Sequence, residues 1–509
     1  MTLSRTTVWS ITLVYALVVG SLASQHVLWR DEARPLNIVA ASGSIPELFR
    51  NVHNEGHPAL WYLVLYAGFQ LTHSTLVLKA SSLVIAITAI FVFLSRAPFA
   101  LRHKLLFTFG VFPIFEYSVR CRDYGLCMLF LFLFGAAHRH RNEKPFVVAL
   151  ILGLLANSHA LGLIIAGALW CSLVAELLMA RSLPGAGKSR GRKIIAALGL
   201  EAATFIVSVP PILPDRTTLL TPLYRLDAAS AARAVVHALL NPGEVYTKAF
   251  GVTSGIFLSL IVMAILVYLL RHVTLALILL LVTGGFAAFF ALVYPVQPYH
   301  TGLFLMVIVL LLWLEAEAQP RRGPVRLARL IDGIGARRDA VVSLGLLMQV
   351  ALAIPAVRAD LTAGSSASRR FAHFLRDSEA LRDAILVGEP GAFMESVHYY
   401  ASNEIYFPRE RRFGTWVQYT TASQQVLSLK ELLETAMRLR RETGRPVVIA
   451  FAYRLSPEGP FEREGAFGSR FVYTPESLSA WRAKTMKLGE FRGATGDENF
   501  DAYRLDETP

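Results

Sequence analysis

Long apolar runs separated by short polar links dominate the first two thirds of the chain. They begin near positions 7, 57, 76, 105, 124, 145, 160, 194, 251, 273, 301 and 340. The run from His57 to His73 has 17 residues, about 25 Å of helix at 1.5 Å per residue, against a hydrocarbon core of about 30 Å. The charged links decide whether it crosses. If it lies along the membrane face, the basic links 96–104, 138–144, 181–193 and 318–338 all fall on one side. If it crosses, they all fall on the other, against the positive-inside rule. The interfacial reading is the consistent one. The run 146–180 spans 35 residues, interrupted at Asn157-Ser158-His159. Its length and flanking basic links predict two helices with an outward bend.

This threading predicts eleven spans, an N-terminus in the cytoplasm and a C-terminus outside. The first run, Val8 to Leu22, is read as a retained span, because Arg5 is the only cation before it and SLASQ is a poor cleavage site. Four stretches then face outward: 25–75, the turn near 119–123, the loop 214–250, and everything after about 358. The bend at His159 and the turn YPVQPYH (294–300) join them. After Ala359 the chain turns polar, with AILVG (384–388) and PVVIAFAY (446–453) as buried strands and MESVHYYASN (394–403) as a helix. The expected fold class is a polytopic α-helical membrane protein, with a membrane domain over 1–358 and a small extracytoplasmic α/β domain over 359–509.

Composition agrees: 54% of residues are hydrophobic, 17% are charged, and mean hydropathy is +0.47. The net charge of +13 would suit nucleic acid if it formed a patch, but the cations sit in the links between apolar runs, so no nucleic-acid partner is expected. Cys121, Cys127 and Cys171 lie in or beside apolar segments and form no disulfide framework.

The polar exceptions in the membrane part, apart from the basic links, gather on the outward side. Ionisable groups at a bilayer are costly to keep and mark function. Asp31 and Glu32, flanked by Arg30 and Arg34, offer a general base or metal ligands; the plainer reading is a solvated pair that stops the first helix sliding inward. Glu55 and His57, two residues apart, can share a divalent ion, or simply cap the helix that Pro58 opens. Arg120 and Arg122 can grip a phosphate bidentately; alternatively Arg120 pairs with Glu116 and Arg122 snorkels. His159, Tyr299 and His300 complete the outward set. VGEPGAF (387–393) lacks the spacing and the lysine of a phosphate-binding loop.

In order and topology these stretches resemble the GT-C glycosyltransferases, the superfamily of the protein O-mannosyltransferases and the lipid A aminoarabinose transferase. The acidic pair after the first span and HPALWYLVLYAGFQL are similar to the family's DE and HPPLYYLLL signatures. YSVRCRDYGL (117–126) resembles its YSQEARPYAL stretch, and NSHALG its TH-containing segment. The likeness covers roughly 7–320. It implies an inverting transferase that moves a sugar from a polyprenyl-phosphate donor to a lipid, glycan or protein acceptor at the outer face of the cytoplasmic membrane. Asp31 then matches the catalytic base with Glu32 beside it, while Arg122 and Tyr124 match the second-loop motif that meets the donor. Arg120, His159, Tyr299 and His300 are further donor-side candidates. The chain departs from the family twice. Arg120 stands where the family carries a glutamate, leaving Asp123 and Glu116 as the nearby acids. His57-Pro58 stands where the aminoarabinose enzyme has Lys-Pro, so a divalent metal at Glu55 and His57 is an open expectation. A transporter or flippase would favour ionisable groups and helix breaks near the midplane and related halves, which the sequence lacks. A non-catalytic envelope scaffold would tolerate loss of Asp31.

Overall fold

The computed structural model describes residues 3–181, 188–219, 244–249, 255–270, 272–318 and 325–506, with a few isolated positions between 229 and 236. Most of the expected outward loop 214–250 and part of the link 318–338 lie outside the described residues. The helices in chain order are α1 (Arg5–Gln25), α2 (Arg30–Ala40), α3 (Ile45–Val52), α4 (Leu60–Thr72), α5 (Val77–Arg96) and α6 (Leu101–Thr108). Then come α7 (Tyr124–His138), α8 (Pro145–Ala156), α9 (Ala160–Arg181), α10 (Lys188–Ser208), α11 (Glu244–Lys248) and α12 (Ile256–Leu269). The helical part closes with α13 (Val273–Leu292), α14 (Pro298–Glu317) and α15 (Val325–Ala363). Among the described residues, six helices are long and apolar enough to cross a membrane, and four shorter apolar ones accompany them.

Two expectations about the helices meet the structure differently. The 35-residue run does divide, with α8 and α9 meeting at Asn157–His159. The run near 105 is not one helix. It breaks after α6 into a wide π turn, Phe112–Glu116, because Pro113 has no amide hydrogen for a regular ladder. The turn is held by Tyr15, whose hydroxyl donates to the Pro113 carbonyl at 2.6 Å.

Packing between helices rests on aromatic contacts. Phe93 lies 4.5 Å from Phe107 and 5.0 Å from Phe132, ring to ring, and Trp313 closes the cluster. Small residues permit the approach. A Cβ on Gly302 would stand 2.4 Å from the Tyr117 hydroxyl, the group that donates to the Tyr299 carbonyl at 2.9 Å. Gly302 is therefore what lets the 117–124 turn seat against α14.

The C-terminal part begins at α16 (Ser368–Asp377), after α15 has run on to Ala363, beyond the expected division at 358–359. Its strands are β1 (Ile385–Glu389), β2 (Ile405–Phe407), β3 (Arg412–Phe413), β4 (Val426–Ser428), β5 (Val447–Phe451), β6 (Glu462–Glu464), β7 (Arg470–Val472), β8 (Thr485–Phe491) and β9 (Phe500–Leu505). A six-stranded sheet runs β3-β2-β1-β5-β9-β8, and a three-stranded one β4-β7-β6. Both predicted strands are there. β1 and β5 pair in parallel, every residue of each buried, which is why they read as unbroken apolar runs. The crossover between them carries α17 (Leu429–Thr443), capped by Ser428 with Glu431 and closed by Gly444 at φ 67°. The last helix, α18 (Pro475–Lys484), precedes β8. The helix expected over 394–403 is instead two 3₁₀ turns, Gly391–Met394 and Val397–Tyr399. Its chain is drawn sideways to meet α2.

One buried polar group ties three of the helices together. His26, just past α1 and wholly buried, binds Asp360 of α15 through Nδ1 at 2.9 Å and Glu32 of α2 through Nε2 at 3.0 Å. Burial alone would lower the His26 pKa; the two carboxylates outweigh it and push it up to about 9. Burial works to raise Glu32, and His26 overcomes it, holding the acid down to about 2. A raised histidine stabilises fully below its ordinary value near 6.5 and is lost as pH climbs through about 9. A depressed glutamate stabilises above about 4.5 and is lost as pH falls through about 2. Stability in detergent is therefore expected to peak between these flanks, and His26→Ala, which leaves two buried carboxylates unpaired, to cost about 3–5 kcal/mol. Denaturant unfolding across pH checks both. An alkaline flank unchanged in His26→Ala would assign that flank elsewhere.

Candidate functional site

The polar residues of the loops expected to face outward meet in a cavity of about 820 Å³ between the helices and the C-terminal sheet. One wall comes from a single face of α2. Arg30, Asp31, Arg34 and Pro35 line the cavity, and their i, i+3, i+4 spacing puts them on one side of a helix. Glu32, Leu36 and Val39 fall on the opposite side and are buried at 1%, 2% and 0% exposure.

That geometry separates the two adjacent acids. Successive helical residues point about 100° apart. Asp31 looks into the cavity, 3.7 Å from Arg122 Nη2. Glu32 looks into the protein, where its carboxylate accepts from the backbone amides of Trp29 (3.0 Å) and Cys121 (2.8 Å) besides binding His26. The expectation that Glu32 shares the catalytic face is corrected: the neighbour fixes the loop and does not line the cavity.

The second loop divides likewise. Arg122 lines the cavity, its guanidinium 4.2 Å from the centre of the Tyr299 ring, and its Nη1 has no hydrogen-bond partner. Arg120 does not line it; it turns to Glu116 at 3.3 Å, the plainer of its two sequence readings. Tyr124 also stands behind the wall, stacked on Tyr117 at 5.3 Å. It supports Arg122 from below, 5.2 Å from the guanidinium. His159, Tyr299 and His300 all line the cavity.

The expected Glu55–His57 pair is not formed. Glu55 is gripped by Arg34, Nε to Oε2 at 2.6 Å and Nη2 to Oε1 at 2.7 Å. The fork turns the carboxylate toward α2. The acid beside His57 is Asp123, 3.2 Å from Nδ1. His57, Asp123 and His159 lie within 4.8 Å of one another through their ligating atoms, close enough to share a metal ion and of the types zinc takes. The hydrogen bonding of His159 opposes that use. Its Nδ1 accepts from the Leu161 amide at 2.9 Å, so the neutral ring carries its proton on Nε2, the nitrogen a metal would need. As bonded, the trio does not fit a metal; its two imidazoles carry N–H groups instead, and Asp123 accepts from one of them.

Electrostatics match that reading. Burial pushes His159 down to about 3, keeping it neutral. Burial also opposes charge on His57, but Asp123 prevails and raises its pKa. Asp123, despite burial, is held down to about 2 by the two imidazoles. Trp61, 2% exposed, adds an indole N–H without a partner to the same cavity. Arg122, Trp61 and His159 line the cavity and keep buried N–H groups without a hydrogen-bond partner, donors that an entering anion can take up.

The C-terminal part supplies the remaining wall, which sequence reasoning did not foresee. Phe393, Glu395, Arg409 and Asn499 are among its contributions. It is fastened to α2 by charge. Arg34 Nη1 reaches Glu395 at 2.8 Å, Arg30 holds Asp497 with two nitrogens at 2.7 and 2.9 Å, and the Arg30 amide donates to Glu498 at 2.7 Å. Burial raises Glu395 to about 7 and Glu498 to about 8. Arg34 was visible only as a flanking cation, because both its partners are remote in sequence.

The whole chain is similar to the crystal structure of ArnT from Cupriavidus metallidurans bound to undecaprenyl phosphate, at 13% identity over 99% of both chains and a TM-score of 0.49. No family profile matches the sequence, and no curated protein matches it. A likeness of that degree leaves the chemistry to be read from the cavity itself.

Arg34 thus holds Glu55 and Glu395 at once. Arg34→Ala, which strands both carboxylates, is expected to cost about 3–5 kcal/mol, and Arg34→Lys to recover only part, since an ammonium cannot fork to both. Unfolding curves, with limited proteolysis of the C-terminal part, provide the measurement. Wild-type stability in Arg34→Ala would remove this contact from the domain attachment.

Proposed function

We propose that the chain is an inverting glycosyltransferase of the GT-C type. It moves a sugar from a polyprenyl-phosphate donor to a hydroxylated acceptor at the outer face of the cytoplasmic membrane. The observation that carries the reading is the pairing of Asp31 with Arg122 in one cavity, the acid 3.7 Å from a guanidinium that still has a free nitrogen. Inversion needs a base at the acceptor hydroxyl and a cation at the leaving phosphate, and one cavity presents both side chains. The motif resemblance over residues 7–320 points the same way.

Asp31 takes the proton of the acceptor hydroxyl as its oxygen attacks the anomeric carbon. The bond from that carbon to the phosphate oxygen breaks, and the polyprenyl phosphate leaves with its electrons. Arg122, with the N–H groups of His159 and Trp61, neutralises the charge developing on it. The rings of Tyr299 and Tyr124 keep the guanidinium pointed at the phosphate. The donor's lipid tail stays in the bilayer while its head reaches the cavity. The acceptor enters against the wall built by the C-terminal part.

In purified protein given a polyprenyl-phosphate sugar, Asp31→Asn is expected to lower turnover about 10²–10⁴-fold with donor binding kept. Arg122→Ala should weaken donor binding, and Arg122→Lys restore it in part. Full transfer by Asp31→Asn, or unchanged donor affinity in Arg122→Ala, would overturn the assigned roles. Reporter fusions at residues 100 and 400 test the orientation: the first should read cytoplasmic and the second extracytoplasmic. The reverse at 400 would put the cavity on the wrong side for a lipid-linked donor at the outer face.

A further inference from the structure

A second cavity, of about 160 Å³, lies between α8, α9 and α10 and shares no lining residue with the first. Glu201 of α10 lines it, 1% exposed, with neither carboxyl oxygen hydrogen-bonded. Arg141 and Glu176 line it as well, joined Nε to Oε2 at 2.8 Å and about a third exposed. The other lining is mostly aliphatic, including Pro145, Val148 and Leu173. Two acids and one cation therefore surround a small, mainly apolar space. One of the acids is buried with its bonding capacity unused, which is costly unless a ligand takes it up.

Depth says what reaches this space. α8 has 12 residues, about 18 Å of helix. Its far end, at Asn157–His159, adjoins the outer cavity, while its near end, at Pro145, lines this one. α9, 22 residues long from Ala160, runs on beside it. The cavity lies at the end of α8 that directly follows the basic link 138–144, the level at which lipid headgroups meet a positive-inside face, so what reaches it from the bilayer is a phospholipid headgroup.

We propose that this cavity binds the primary ammonium of an aminophospholipid, with Glu201 and Glu176 accepting its N–H groups and Arg141 facing the phosphodiester. An ammonium offers three donors and needs no more than three acceptors, which the two carboxylates supply. A calcium ion would need six to eight oxygens. A quaternary choline head would call for an aromatic cage, and none of the lining residues is aromatic.

The test uses the full chain in nanodiscs and native mass spectrometry of the lipids it retains. Phosphatidylethanolamine should be retained about tenfold over phosphatidylcholine and phosphatidylglycerol, equivalent to about 1.4 kcal/mol. Glu201→Gln should erase the preference. On wild-type protein, retention should fall stepwise from phosphatidylethanolamine through its N-methyl and N,N-dimethyl forms, a series that holds even if the variant folds poorly. Equal retention of all headgroups, or a preference that survives Glu201→Gln, would overturn the site. So would protection of the cavity by ethanolamine or Mg²⁺ alone in phosphatidylglycerol discs, since the ligand would then be a soluble cation.

Discussion

A charged imidazole with no access to water sits where four segments of the chain meet. His26 binds Glu32 on one side and Asp360 on the other, and Glu32 passes the connection on to the Cys121 amide. The end of α1, the start of α2, the turn at Cys121 and the last long helix are thereby referred to one point. A buried charge tolerates no vacancy among its partners, so the hub constrains direction as well as position. With Glu32 turned inward, helical geometry obliges Asp31 and Arg34 to face the cavity. The same acid that anchors the loop thus sets the angle of its neighbour.

The C-terminal part depends on that angle. Arg30 and Arg34 reach it only because α2 presents them away from the helices. Asn37, one turn further along, donates to the Glu395 and Thr415 carbonyls, both at 2.9 Å. A helix with one face packed into the apolar body and guanidinium groups on the other works as a joint between that body and a polar one. The cavity is the space left beside that joint, so its walls come from both parts and neither encloses it alone. The buried acids on the sheet side, Glu395 and Glu498, belong to the joint as well, which explains polar residues in an otherwise packed core.

Cavity lining also sorts the arginines and histidines. Arg122 remains available because Tyr124 and Tyr299 support it without consuming its hydrogen bonds, whereas Arg120 points away from the cavity, toward Glu116. His159 is kept neutral and its proton fixed by one backbone amide. These are local contacts, yet each changes what its residue can do to a ligand.

Much of this was legible in the sequence. The apolar runs gave the helices, the break at Asn157–His159 divided α8 from α9, and unbroken apolar stretches marked β1 and β5, because burial on a fixed period leaves a pattern along the chain. The gathering of Asp31, His57, Arg122, His159, Tyr299 and His300 was readable too, since charge on the links determined which loops share a side. What the sequence could not decide was the choice between near neighbours and distant partners. Asp31 and Glu32 are adjacent and chemically alike, and only the direction imposed by His26 and Asp360 separates them. Glu55 and His57 look like a pair until Arg34 takes one and Asp123 the other. The helix expected over 394–403 gave way to turns because Glu395 must reach Arg34. Apart from His26 and Glu32, six positions apart, the deciding contacts join residues tens to hundreds of positions apart. Composition and periodicity record how much of a residue is buried, but not which partner it is buried against.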